Sequence, residues 1–173
     1  DGDGISGVPN WNTVPSFVTV RSSSINNNGK FISRFGRKGS TYDLLQQTTT
    51  AYNQDMGITS SFIPTNPTNV LDATHPVSSG GPEVTDEVIN AVVFYLQTLK
   101  APIQRNAESD IVKQGKSVFV SIGCEKCHKE TLKTGYSPIE VLSNKTFHPY
   151  TDLLLHDMGS ALDDGYTEGS AKT

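Results

Sequence analysis

Cysteine is scarce in this chain: two among 173 residues, at positions 124 and 127, too few for a disulfide framework. Methionine is as rare, at positions 56 and 158 only. Neither sign of charge dominates. Fourteen Lys and Arg against 18 Asp and Glu leave a net charge of −4, which excludes a basic nucleic-acid surface or a patch for acidic membranes. Long apolar runs are missing too, the longest being Ala91 to Leu96, far too short to span a bilayer. No signal peptide opens the chain, and Asp1 is an unusual natural start, so a processed or cut product is expected. Hydrophobic residues make up 35% and mean hydropathy is −0.36, little for a self-sufficient core. The length suits one ordinary domain or two small ones.

What the chain does hold is Cys124-Glu125-Lys126-Cys127-His128. This is C-x-x-C-H, the attachment signature of a c-type haem. Two thiols at this spacing can each add to a haem vinyl group, and the thioethers fix the porphyrin edge. His128 then lies under the iron as proximal ligand. A bound macrocycle would also supply apolar surface that the side chains lack. Three other readings compete. A dithiol redox pair opens a helix, whereas here the motif closes a helical pattern of Ile111, Gly115, Val118, Phe119 and Ile122. A structural zinc site could combine Cys124 and Cys127 with two of His128, His148 and His156, but those histidines lack paired spacing. A disulfide across two residues is strained. Haem is the preferred reading, and covalent attachment implies a periplasmic or otherwise exported protein.

Around the motif the pattern is mixed. Asp1 and Asp3 alternate with glycines as in part of a calcium loop, or form a flexible turn cluster. Val18, Val20 and Ile25 mark possible short strands. Arg34, Arg37 and Lys38 surround Phe35, and such cations suit haem propionates; a solvated basic turn is the plainer alternative. Helices are expected over Thr41 to Asp55, stopped by Gly57, and over Pro82 to Leu99, with Thr85 as N-cap and Asp86 and Glu87 in the first turn. Leu44, Leu45, Thr48, Ala51 and Tyr52 would share the buried face of the first. Ser109 is placed to cap a third helix that delivers the motif. The proline-rich stretch between the first two helices is loop, and its His75 reads as a surface residue. Both methionines stand in Asp-Met-Gly, and a thioether in a turn is how a second axial haem ligand looks. Met158 follows His128 by 30 residues, enough chain to reach the other face of a macrocycle, with Leu153, Leu154 and Leu155 as pocket wall.

The stretches Asp1 to Asn10, Arg34-Phe35-Gly36, Asp55-Met56-Gly57-Ile58, Tyr95 to Leu99, Gly123 to His128 and Asp152 to Gly159 together resemble the di-haem oxidoreductase family of peroxidase-like proteins. The resemblance implies kinship with bacterial di-haem cytochrome c peroxidases, which carry two cytochrome c-like domains with one haem each. A second C-x-x-C-H is absent, and the chain stops without the helix that would close a cytochrome c fold. It is therefore expected to be an internal or C-terminal portion of a longer protein.

The expectation is a mainly α fold. Residues 107–173 would form a cytochrome c-like haem domain with long irregular loops, and residues 1–103 the loop-rich, two-helix remainder of a first such domain. The expected function is a c-type haem electron-transfer unit of a di-haem peroxidase-like oxidoreductase, itself leaning to a non-catalytic role. Cys124 and Cys127 would anchor the haem, His128 and Met158 ligate its iron, and Arg34 and Arg37 bind its propionates. Met56 is a candidate ligand of a second haem c, and Asp1 and Asp3 of calcium. His156 is either a distal acid/base group or, as favoured, a cap for its loop. The partner would be a redox protein or the adjacent haem domain. The alternatives are a single-haem electron carrier without catalysis and a structural zinc module.

Overall fold

A computed structural model describes residues 5–67 and 80–166. Asp1, Asp3 and His75 lie outside the described residues. Strand β1 (Asn10–Thr13) pairs antiparallel with β2 (Lys30–Ser33), Asn10 facing Ser33. The turn into β2 is Asn28-Gly29, both at positive φ (52° and 80°), and Asn27 and Lys30 exchange two backbone hydrogen bonds across it. An Asn-Gly pair favours this turn because both residues tolerate the left-handed region. Val18, expected in a strand, is instead buried in the connection between β1 and β2.

Helix α1 (Leu44–Met56) starts where Asp43 accepts the Gln46 N–H at 2.8 Å. It stops at Gly57, whose φ of 69° suits a residue without Cβ. Its buried residues are Thr48, Thr49 and Asn53, so the face turned inward is polar and the expected leucine face is only half-buried. Thr49 meets its own need by donating to the Leu45 carbonyl, and Asn53 donates to the Thr65 carbonyl. Helix α2 (Asp86–Thr98) is capped by Thr85 and packs on α1, burying Ile89 and Val93. Its entry is stitched to the buried Thr59, which donates from both backbone and hydroxyl to the Glu83 carboxylate.

Helix α3 (Asp110–Ser121) follows an exposed linker and contacts the short 3-10 turn Cys124–Lys126. A second small antiparallel sheet joins β3 (Leu132–Lys133) to β4 (Thr146–Phe147).

The expected mainly α, cytochrome c-like fold is overturned. Among the described residues, three α-helices of 13, 13 and 12 residues stand beside two small antiparallel sheets and long loops. The physical reason lies in α3. Its apolar stripe is intact, yet Ile111 is 78% exposed and Val118 55%, and none of its residues is buried. A haem-enclosing helical bundle needs that stripe packed on another helix. Among the described residues the buried apolar core is Val18, Ile89 and Val93, and most other buried positions are polar side chains. No helix among the described residues is long and apolar enough to cross a membrane.

Candidate cofactor site

The C-x-x-C-H segment takes its shape from the end of α3. Ile122 and Gly123 close the last turn by donating to the Val118 and Val120 carbonyls, and Gly123 reverses the chain at φ 82°. The 3-10 turn follows, and the His128 N–H donates to the Cys124 carbonyl at 2.9 Å. This tight geometry sets Cys124, Cys127 and His128 along one cavity of about 690 Å³. Both thiols are free and half-buried.

The segment from Thr151 to Met158 forms another part of the cavity wall. It is tied to the motif by the Asp152 N–H, which donates to the Cys127 carbonyl at 3.1 Å. Leu154, Leu155, His156 and Met158 all line the cavity. Leu153, expected beside them, sits at φ 61° and is exposed, so the triple leucine supplies two wall residues. Leu155 is paired with Val8 by two backbone hydrogen bonds of 2.8 and 2.9 Å. The N-terminal segment thus braces the wall from behind.

His128 is oriented by a contact that sequence cannot reveal. Its Nδ1 lies 2.9 Å from the Tyr150 carbonyl oxygen. A carbonyl only accepts, so Nδ1 carries the hydrogen and Nε2 keeps its lone pair for a metal. Phe119 of α3 steadies the pair, its ring 6.3 Å from the imidazole and edge-on to Tyr150 at 5.9 Å.

His156 is fixed by the same logic. Its Nε2 donates to Asp152 Oδ2 at 2.7 Å, and its Nδ1 stands 3.9 Å from Cys127 Sγ. The ring is therefore held between the Asp152 carboxylate and the Cys127 sulfur.

Of the basic cluster, Arg37 and Lys38 reach the cavity, while Arg34 lines a separate one of about 420 Å³ with Phe35 and Tyr42. Both cavity cations bind Asp164, Lys38 at 2.6 Å, and the lysine ammonium beside it holds the Asp164 carboxyl below its usual range. Lys38 and Asp164 carried no decisive sequence signal, since their partnership spans 126 residues. Met56 ends α1, exposed, and is not among the residues lining the cavity.

These groups suit a haem: two free thiols at the attachment spacing, an imidazole with Nε2 available, an exposed thioether and cations at one edge. The cavity volume lies within the range of about 300–1,000 Å³ common to cofactor pockets. The zinc alternative fares worse. Among the described residues no group of three or more His, Cys, Asp or Glu side chains is gathered to hold a metal ion, and His148 is engaged with the Thr131 hydroxyl at 3.1 Å.

Comparison with known proteins adds one result. The family described as "di-haem oxidoreductase, putative peroxidase" matches residues 1–173. No curated protein and no solved structure matches. The chain belongs to the di-haem oxidoreductase family, and its cofactor class is haem.

Proposed function

We propose that this chain is the electron-transfer portion of a di-haem peroxidase-like oxidoreductase, carrying a covalently attached c-type haem. The observation that carries the reading is the convergence of Cys124, Cys127, His128 and Met158 on one cavity, with His128 Nδ1 engaged by the Tyr150 carbonyl. When bound, the haem supplies reversible one-electron chemistry. Cys124 and Cys127 would anchor it through thioethers, each thiol adding across a vinyl group. His128 would offer Nε2 and Met158 its sulfur; sulfur is the softer donor, so such a pair would favour reduced iron relative to two histidines. Arg37, with 75% of its side chain in solvent, can turn to a propionate. His156 keeps the loop on the motif.

With His128 and Met158 both given to the haem, the site would pass electrons and would not take up peroxide. The peroxide-reducing haem would belong to the partner domain, to which residues 1–103 contribute the remainder and Met56 a candidate ligand. Covalent attachment calls for export to the periplasm or an equivalent compartment. Encounters with a redox partner would use a small, weak interface.

A haem-stained denaturing gel with an absorption spectrum tests this directly. The native protein should be coloured and low-spin, with a methionine-ligand charge-transfer band. Met158→Ala should abolish that band and open the site to added ligands. A colourless preparation ends the haem reading, and an unchanged spectrum in the variant moves the axial assignment to another residue. Peroxide turnover by this chain alone would overturn the electron-transfer role.

A further inference from the structure

Met158 hangs in a segment that has almost no hold of its own. Residues 157–166 are exposed throughout, and their internal hydrogen bonds are short-range turns: Gly159 to Asp157, Leu162 to Gly159, Gly165 to Asp163 and Tyr166 to Asp164. Among the described residues, every hydrogen bond that leaves this segment goes to Arg37 or Lys38. We infer that Lys38, through Asp164, is a positioning residue that latches the Met158 segment onto the cavity. The inference rests on the reading of Met158 as an axial ligand.

Lys38 is built for the task. Its side chain is 6% exposed, and its ammonium donates to Asp164 Oδ1 at 2.6 Å and to the Tyr166 carbonyl, with the Tyr166 ring centroid 5.6 Å away. Its own backbone is held in place by the buried Asn10, which donates to the Lys38 carbonyl at 2.9 Å. Arg37 adds a second contact to the same carboxylate, from solvent. Met158 is therefore suspended between two fixed points. On one side Leu155 is paired with Val8; on the other Asp164 is clamped by Lys38. Both anchors belong to the first 38 residues. Freeing one end leaves an exposed thioether on a tether whose turns are all local, and its occupancy at the iron should fall.

The test uses the full haem-loaded chain and two readouts, the methionine-ligand charge-transfer band and the rate of proteolysis within residues 159–166. Asp164 is exposed, so Asp164→Asn is expected to fold. It should weaken the band and speed cleavage about threefold to tenfold, the range for losing a charge-assisted contact. Asp164→Glu should restore both, and Lys38→Met should repeat the loss. A band and a cleavage rate at wild-type levels in Asp164→Asn overturn the latch. Met158→Ala separates the two ideas. If it leaves the band untouched, the ligand assignment falls and the positioning role with it. If it removes the band while Asp164→Asn does nothing, the latch alone is wrong.

Discussion

At Gly7 a side chain has no room. A Cβ there would stand 2.5 Å from Leu154 Cβ and 2.9 Å from His156 Cε1, and the first of these is too close to the backbone to swing away. Gly7→Ala should force the N-terminal segment off the cavity wall, at a cost of about 1–3 kcal/mol typical of overpacking. A urea unfolding midpoint measures it, and an unchanged midpoint would mean that the wall yields freely. That Cys124, Cys127 and His128 share one cavity was legible from the sequence, because the C-x-x-C-H spacing is local. The Tyr150 carbonyl that sets the His128 tautomer lies 22 residues away and is a backbone atom. No side-chain pattern announces it.

Among the elements, the helix starts differ in how well they are made. Asp43 accepts from Gln46 at 2.8 Å, whereas Thr85 reaches Val88 only at 3.5 Å. Asp43→Ala should therefore cost about 1 kcal/mol, the usual worth of a good N-cap, and Thr85→Ala clearly less. Thermal midpoints of the two variants check the order, and a reversal would show that the cap distances do not govern. All three helices were legible from periodicity, though α1 begins at Leu44 and not at Thr41, and Ser109, expected to cap α3, makes no side-chain capping hydrogen bond. Their inward faces were not. The α1 leucines stay half-buried while Thr48, the one residue of the expected face to be buried, turns inward with Thr49 and Asn53; Thr49 and Asn53 donate to backbone carbonyls, whereas the Thr48 hydroxyl is buried without a hydrogen-bond partner. The Asn28-Gly29 turn was a readable signal, and it places β2 several residues after the valines that seemed to mark strands.

On the scale of the whole molecule, the cavity is closed by parts of the chain that are distant in sequence. Val8 pairs with Leu155, and Lys38 holds Asp164. This second clasp is sensitive to acid. The Lys38 ammonium, foremost, holds the Asp164 carboxyl below its ordinary value, so its contribution is complete above the normal carboxylate range and is lost as pH falls through the depressed folded value. Proteolysis within residues 159–166 should accelerate on acidification in the wild type, and the additional step should be missing in Asp164→Asn. Identical pH profiles for the two would mean that Asp164 does not control the segment.

The sequence by itself determined the C-x-x-C-H spacing, the approximate helix positions and the family resemblance, because each is written in residues a few places apart whose geometry the backbone fixes. Only the tertiary structure decided that Arg37 and Lys38 face the cavity while Arg34 does not, and that the apolar stripe of α3 meets solvent. Those outcomes depend on packing between segments distant in sequence, Lys38 and Asp164 being 126 residues apart, where many pairings satisfy the same local pattern and one arrangement of the whole chain selects among them.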